Sequence, residues 1–337
     1  MDLRKRTESG RALSCESPIG ENATARLHPG LFSIPLGLMG LAGAWQRMVP
    51  LGVTIGNPIS LYLFAAGLGM LTLLLALWCV KALFHPAAMR EEWSHPVAGA
   101  LLAMAPVGVL LAISLLAPLL PQLAAHLLAA TLGALALQAI CTWQLVARLS
   151  TGQMAAETVT PALYMPTVAG GFVDALALNA CGQAGFAALL MGMGVGAWAL
   201  LEFRILNRLF AGPLPEALRP TVGIEIAPAA GGSLALATLW PALPPQALLV
   251  CLGIASGPLL AVLTRWRFWT AVPFSAGFWS FSFPLAAMAG APVEAGGRGG
   301  WPPAVALAAV SIASAVIAFL AVRTLLLLAR GKLLPPR

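Results

Sequence analysis

Two carboxylic acids lie inside long apolar stretches of this sequence, where an ionisable group could bind a ligand or carry a proton. Asp174 lies in the segment 161–181, and Glu225 lies in the segment 220–242. A charged side chain at bilayer depth costs roughly 2.5–3.5 kcal/mol on insertion scales, so such residues usually face protein or water. For Asp174 two interpretations stay open: a hydrogen bond to a neighbouring helix, or a pore-lining site that accepts a proton. Glu225, about one turn inside its segment, fits a solvated pore mouth better than a transport site.

The remaining charges inside apolar segments indicate structural roles. Glu202 lies near the end of the segment 184–209, where an ion pair with Arg204, Arg208 or a neighbouring helix is expected. Arg323 is the one basic residue that we place deep in a span. With so few buried cations, tight binding of an anion is not expected, and selectivity would depend on pore width and on the partial charges of helix ends.

A bulky aromatic residue directly precedes a proline in the run FWSFSFP at 278–284. Phe283 is followed by Pro284, and small residues such as Ala287 lie about one helical turn away. A large ring among small residues on a kinked helix could close a narrow path, either sterically or by excluding water. We therefore predict that Phe283 is a pore gate.

The cysteines and histidines do not form the pattern of a metal or catalytic site. The five cysteines are widely separated and include no CxxC pair, and the histidines stand alone at His28, His85, His95 and His126. A membrane enzyme acting on lipid-linked substrates would require His, Asp or Cys residues clustered at one membrane face. We predict no metal, no cofactor and no enzymatic activity.

The composition indicates an all-α integral membrane protein. Of 337 residues, 59% are hydrophobic and only 9% are charged, which is too few charges to cover a soluble globule. A membrane-spanning helix needs about 20 apolar residues. The sequence contains ten candidate segments, at 29–49, 58–83, 95–117, 119–147, 161–181, 184–209, 220–242, 245–264, 268–291 and 302–329. We predict one membrane domain over 29–329, a flexible cytoplasmic arm over 1–28 and a short cytoplasmic tail over 330–337.

Prolines interrupt alternate segments of this series. They are Pro35, Pro106, Pro166, Pro228 and Pro284, in the first, third, fifth, seventh and ninth segments. A proline inside a helix removes one hydrogen bond and kinks the helix, and in lipid the freed carbonyl must find another partner. Five kinked helices alternating with largely unbroken helices predict an inner ring around a wet path, enclosed by an outer ring.

The basic residues predict the orientation. Of the 19 lysines and arginines, 17 lie in the N-terminus, the even-numbered loops and the C-terminus, whereas only Arg47 and Arg298 lie in the odd-numbered loops. By the positive-inside rule, both termini are cytoplasmic. The net charge of +7 is therefore a topology signal, and the sequence contains no nucleic-acid-binding motif.

Several runs resemble the tellurite-resistance/dicarboxylate transporter family, which includes bacterial tellurite-resistance homologues and the slow-type anion channel of plant guard cells. The runs follow one another in order over nearly the whole membrane part: LFSIPLGLMGLAGAW at 31–45, SHPV at 94–97, AETVTPALYMPTVAG at 156–170, LRPTVGIEIAPA at 218–229 and FWSFSFP at 278–284. Each run alone is a weak match, whereas together they are specific.

The resemblance implies ten helices in five hairpins with a quasi-fivefold arrangement, with the odd-numbered helices and their prolines lining the pore. It also implies a homotrimer with one pore per subunit in the inner or plasma membrane, and it assigns the occluding phenylalanine to Phe283. The substrate would be a small anion or organic acid. Asp174 and Glu225 depart from the family pattern and leave open a proton-coupled carrier as the alternative, since acids near an anion path repel anions unless protonated.

Overall fold

The computed structural model describes residues 23–334, and in that range all regular structure is helical. The helices are α1 (Ser33–Met48), α2 (Gly56–Phe84), α3 (Pro86–Ser94), α4 (Pro96–Leu101), α5 (Met104–Leu116), α6 (Ala124–Ser150), α7 (Gly170–Ala180), α8 (Ala184–Phe210), α9 (Ala227–Leu239), α10 (Pro245–Thr264), α11 (Trp266–Thr270), α12 (Ser282–Gly299) and α13 (Pro303–Ala329). Short 3-10 and π segments connect several of them.

Eight helical stretches of the described chain are long and apolar enough to cross a membrane. They are Gly56–Phe84, Pro96–Leu119, Pro121–Ser150, Pro161–Ala180, Ala184–Phe210, Glu216–Leu239, Pro245–Thr264 and Pro303–Ala329. The chain is therefore an all-helical, multi-pass membrane protein, as its composition predicts.

The first and ninth predicted segments, 29–49 and 268–291, are not among these eight. The first becomes a helix, α1, of only 16 residues, after a 3-10 turn. The ninth segment was placed too early, because its aromatic residues divide between the short α11 and a 3-10 segment, Ala276–Phe281. The helix that follows, α12, extends to Gly299 and includes Glu294 and Arg298, so it is less apolar than the other spans.

Long helices on the outside of the molecule expose large apolar side chains. Tyr62 on α2 is 76% exposed, Trp143 on α6 is 78% exposed and Leu200 on α8 is 79% exposed. Such surfaces are typical of helices that face lipid, because apolar side chains gain nothing from burial when the solvent is itself apolar. These helices therefore form the lipid-facing layer.

The helices that carry the five alternating prolines form the buried layer. Each proline lies in the first turn of an α or π segment that follows a 3-10 segment or a turn, where the missing N–H costs no regular α-helical hydrogen bond. Pro35, Pro106 and Pro284 are the third residues of α1, α5 and α12; Pro228 is the second residue of α9; and Pro166 is the second residue of the π segment Met165–Ala169 before α7.

The buried helices contact one another in a closed circuit. Helix α1 packs against α5, α5 against α7, α7 against α9, α9 against α12, and α12 against α1. Each also packs against the long helix that follows it in sequence: α1 on α2, α5 on α6, α7 on α8, α9 on α10 and α12 on α13. The space enclosed by the circuit is where a path through the protein would lie.

Close helix contacts depend on small residues. A Cβ atom on Gly171 of α7 would lie 2.8 Å from the Cα atom of Gly194 on α8, so the two backbones touch. On α1, Gly37 faces Ser282, whose hydroxyl donates to the Ser33 carbonyl at 3.1 Å. These contacts fix α8 against α7 and α12 against α1.

The predicted N-terminal arm, 1–28, lies mostly outside the described residues, as does the end of the predicted tail, 330–337. At the junction, the fully buried Lys81 donates hydrogen bonds of 2.6 Å to the Leu27 carbonyl and to Glu92. Its ammonium also lies 4.8 Å from the centre of the Trp78 ring. This cluster attaches the end of the arm to the corner between α2 and α3.

Candidate functional site

The enclosed space between the buried helices contains a cavity of about 170 Å³, which we call the Arg47 cavity. All five helices of the circuit contribute to its wall. Its polar lining residues are Arg47, Ser114, Asn179 and Thr238; its apolar lining includes Met39, Leu111, Phe172, Leu176 and Leu234. The wall is apolar for most of its area, with hydrogen-bonding groups from four different helices.

Phe283 lies at one end of the Arg47 cavity. The same ring also lines a much smaller cavity of about 20 Å³, the Pro284 cavity, together with Ala169 and Ala227, which likewise line both spaces. The ring is half-buried and packs against α1 at Gly40, where an added Cβ would lie 3.1 Å from the ring. Phe283 therefore borders both cavities, which adjoin at its ring.

A third space, the His95 vestibule, adjoins the Pro284 cavity. It has a volume of about 470 Å³ and shares Ser33, Met104, Ile224 and Ser280 with the Pro284 cavity. Its walls include His28, His95 and residues 217–218 and 274–277, and the C-terminal residues 332–334 also contribute. The three spaces thus follow one another from Arg47 to the vestibule, with the side chain of Phe283 between the first and second.

Two histidines of the vestibule have a defined hydrogen-bonding state. The Nδ1 atom of His28 accepts from the Gly30 amide at 3.1 Å, and the Nδ1 atom of His95 accepts from the Ala98 amide at 3.1 Å. A neutral imidazole that accepts at Nδ1 carries its proton on Nε2. The His28 ring is open to the vestibule. Desolvation by the surrounding protein nevertheless lowers the pKa of His28 to about 4, and the charges of Lys81 and His95 add to this shift.

Asp174 lies on a different face of α7 from the residues that line the Arg47 cavity. It is 6% exposed, and its Oδ1 atom has no hydrogen-bond partner among the described residues. It lies three and four residues after Gly171 and Gly170, which contact α8 and α6, so it shares their side of the helix. Asp174 is absent from the walls of all three spaces.

Glu225 is largely buried and paired, whereas the sequence favoured a solvated position. It lies in the 3-10 segment Glu216–Ile226, and its side chain is 10% exposed. Its Oε2 atom accepts a hydrogen bond from Arg265, which follows α10. Its Oε1 atom is buried without a partner in the described chain. The residue links two neighbouring helix ends and lines none of the three spaces.

The expected ion pair of Glu202 with an arginine is wrong. Its Oε2 atom accepts hydrogen bonds from the Tyr164 hydroxyl at 2.5 Å and from the Trp198 indole at 2.8 Å. Within residues 23–334, no lysine or arginine lies within ion-pair distance of it. Tyr164 directly precedes the π segment that leads into α7, and Glu202 is on α8. The Glu202 carboxylate therefore links the start of the α7 segment to α8.

Sequence reasoning missed the charged group that lines the Arg47 cavity. Arg47 was interpreted only as an exception to the charge asymmetry, yet it is the one charged residue among those lining the cavity in the described chain. Its Nε atom donates to Glu294, 247 residues away in sequence, at 3.1 Å. The available signal was the position of an arginine at the end of a segment that carries one of the alternating prolines. Its partner could not be found from spacing.

Metal ligation has no support from the geometry of the described part. Among residues 23–334, no three His, Cys, Asp or Glu side chains come close enough together to hold a metal ion. The described cysteines, at 79, 141, 181 and 251, are all free. The chemistry available along the cavities is hydrogen bonding and charge, supplied by Arg47, Ser114 and the other polar wall residues.

Comparison with known proteins identifies relatives of the whole helical domain. The SLAC1 family model, described as a voltage-dependent anion channel, matches residues 26–327. The tellurite resistance protein TehA homolog of Haemophilus influenzae is 26% identical over 270 residues, which are 78% of this chain and 79% of that protein. The guard cell S-type anion channel SLAC1 of Arabidopsis thaliana is 27% identical over 312 residues, which are 88% of this chain and 55% of that protein.

The match therefore spans only about half of the plant protein, whereas it spans most of the bacterial relative. Both relatives agree with the resemblance seen in the five sequence runs, and the family match includes every helix of the contact circuit. The chain belongs to the SLAC1 family of voltage-dependent anion channels.

Proposed function

We propose that this protein is a channel or transporter for small anions, with a path through the Arg47 cavity, the Pro284 cavity and the His95 vestibule and a gate formed by Phe283. The observation that carries the proposal is the position of the Phe283 ring, which lines both the Arg47 cavity and the Pro284 cavity and so stands between them. A hydrophobic constriction of this kind stops conduction by filling the lumen or by excluding water from it.

The names of the family and of the plant relative support an anion as the substrate. A cavity of about 170 Å³ has room for a few water molecules or a small anion, since one water occupies about 30 Å³ in the liquid. The candidates are halides, nitrate, sulfite, tellurite-related oxyanions and small dicarboxylates. A panel of these anions, tested in proteoliposomes at two pH values, would rank them.

The gate is tested by replacing Phe283→Ala in proteoliposomes and measuring chloride or nitrate flux. We expect a higher flux than in the wild type, because the substitution removes the ring between two cavities. Phe278→Ala is the matched control. Phe278 lies on the same run of residues and stacks on Phe274 and Phe281. It lines a separate groove, and it lines neither the Arg47 cavity, nor the Pro284 cavity, nor the His95 vestibule.

Truncation of Phe278, which is 9% exposed, should lower stability by about 3–5 kcal/mol without opening a path. Equal flux in the two variants at the wild-type level, at matched protein amounts, would show that Phe283 is not a gate.

We further propose that α1 and α12 also cross the membrane, giving ten spans in five hairpins around the path. Both helices belong to the closed circuit of buried helices, and both pack against helices that are long enough to span. The family resemblance supports a quasi-fivefold arrangement, a homotrimer with one path per subunit, cytoplasmic termini and a location in the inner or plasma membrane. Native mass spectrometry should then give three times the chain mass of 34.8 kDa.

One observation favours a second candidate, a proton-coupled carrier. Asp174 and Glu225 each have a buried carboxyl oxygen without a partner in the described chain, and such groups inside membranes often take part in proton transfer. In that case a pH gradient would drive anion uptake, whereas a channel would respond only to the membrane potential and the anion gradient. A membrane enzyme and a purely structural subunit are excluded if the pure protein alone carries anion flux.

A further inference from the structure

Arg47, which lines the Arg47 cavity, belongs to a cluster of three charged side chains with Glu294 and Arg298. Arg47, at the end of α1, donates from Nε to the Glu294 Oε1 atom at 3.1 Å. Arg298 donates from an Nη2 atom to the Glu294 Oε2 atom at 2.9 Å. Two guanidinium groups therefore share one carboxylate, and the cluster has a net charge of +1.

The two arginines differ in what they face. Arg298 binds the Ala237 carbonyl at 2.9 Å and the Pro241 carbonyl at 3.1 Å, so it closes the end of α9 and is not part of the cavity wall. Arg47 lines the cavity, and its side chain is 21% exposed. Of the two arginines, only Arg47 can therefore touch a solute inside the cavity.

The hydrogen bonds of Arg47 leave donors available. Besides Glu294, its guanidinium donates to the Gly43 carbonyl and to the Thr238 hydroxyl, each at 3.1 Å. Thr238 in turn donates to the Leu234 carbonyl at 2.8 Å, which orients the hydroxyl. A guanidinium carries five N–H groups, so these bonds use three and leave two, one on Nη1 and one on Nη2.

The surroundings hold the guanidinium in this place. An added Cβ on Gly43 would lie 3.3 Å from the Arg47 Nη1 atom, so the glycine leaves room for the charged group beside the helix. Bonds to α1, α9 and α12 restrain all three nitrogens. An oriented cation with two unused N–H groups, in a mostly apolar cavity, suits a small anion with two acceptor atoms.

We propose that Arg47 coordinates a small oxyanion such as nitrate in the Arg47 cavity and that Glu294 weakens this site by balancing its charge. The inference rests on the proposed anion path and adds a specific binding group to it. Arg47 sets selectivity for anions over cations, and Glu294 keeps binding weak enough for rapid release.

The test uses two measurements on Arg47→Gln, Glu294→Gln and Arg298→Gln. The first is the melting temperature of the purified protein in sodium nitrate, compared with sodium gluconate at equal ionic strength, because a ligand that binds the folded state raises the melting temperature. The second is nitrate conductance and the anion-to-cation permeability ratio in a Phe283→Ala background.

Arg47→Gln should weaken nitrate binding by about tenfold or more, since charge-assisted hydrogen bonds are lost. Glu294→Gln should strengthen binding, and it should raise conductance at low salt by an amount that shrinks at high salt. Arg298→Gln is the matched control: it removes the same unit of charge but leaves the donors of Arg47 in place, so its effect should be clearly smaller.

Equal losses in Arg47→Gln and Arg298→Gln would overturn coordination by Arg47, and unchanged nitrate binding in Glu294→Gln would overturn the weakening role of Glu294. Failure of the proposed function is a different result, in which the Phe283→Ala background carries no anion current while nitrate still stabilises the protein through Arg47. Should Arg47→Gln not fold, Arg47→Lys keeps the charge but replaces five N–H donors in a planar fork with three on one nitrogen, and it should bind nitrate more weakly.

Discussion

At the scale of single residues, Asp174 is the acid whose role the geometry narrows most. It lies on the face of α7 that contacts α6 and α8, and it lines neither the Arg47 cavity, nor the Pro284 cavity, nor the His95 vestibule. A carboxyl group in that position does not touch an anion in the Arg47 cavity, so its contribution to flux would have to come through proton transfer.

We expect Asp174→Asn to leave anion flux and its pH dependence close to the wild type. The isosteric amide keeps a hydrogen-bonding side chain and removes only the ability to bind a proton. Flux in proteoliposomes between pH 5 and pH 8, in the presence and absence of a pH gradient, measures this. A flattened pH profile in the variant would instead support the proton-coupled carrier.

Residue identities alone could nominate some candidate residues and missed others. Phe283 and Pro284 could be singled out because a ring beside a mid-segment proline is a local pattern. The cluster of Arg47, Glu294 and Arg298 could not, because its hydrogen bond from α1 to α12 joins residues 247 positions apart. Glu202 showed the same limit, since its tyrosine partner lies on another helix.

At the scale of helices, glycine decides which pairs pack closely. Glycines 192 and 196 of α8 form a GxxxG-like spacing in the sequence, but an added Cβ on either would contact nothing within 4 Å. The glycine between them, Gly194, is the one that touches α7, through the backbone contact with Gly171. The GxxxG-like spacing on α8 therefore does not mark the contact with α7, which the glycine between the two makes.

Gly171→Ala should destabilise the protein by about 1–3 kcal/mol, because its new methyl group would overlap backbone atoms of α8 that cannot move separately. Gly192→Ala is the matched control on the other helix: its methyl group meets open space, so stability should be unchanged or should rise by up to about 1 kcal/mol. Thermal melts in one detergent compare the two. Equal melting temperatures would contradict the close contact between α7 and α8.

The helix boundaries were predicted best where the apolar run ends at charged or turn residues. The second predicted segment, 58–83, became Gly56–Phe84, and the eighth, 245–264, became Pro245–Thr264. The ninth was displaced because hydropathy does not distinguish aromatic residues in a short helix, such as Trp266–Thr270, from those in a span. The chain turns at residues 271–275 before the buried part of that segment begins.

At the scale of the whole molecule, the structure explains the two exceptions to the asymmetric distribution of basic residues. The two basic residues of the odd-numbered loops, Arg47 and Arg298, both bind Glu294. Their charges are thus partly neutralised inside the protein, so they weaken the positive-inside signal less than two free arginines would. In a ten-span topology, the remaining 17 basic residues all lie on the opposite side of the membrane from Arg47 and Arg298.

Reporter fusions distinguish a ten-span topology from one with only the eight apolar stretches. Between Arg148 and Arg298 lie four of the eight stretches, so both positions would be on the same side if only those cross. If α12 also crosses, five spans separate the two positions, and they lie on opposite sides. We expect a reporter after Arg148 to be cytoplasmic and a reporter after Arg298 to be external, because the basic loops remain inside. Two cytoplasmic reporters would mean that α12 does not span and that the circuit of buried helices does not enclose a complete path.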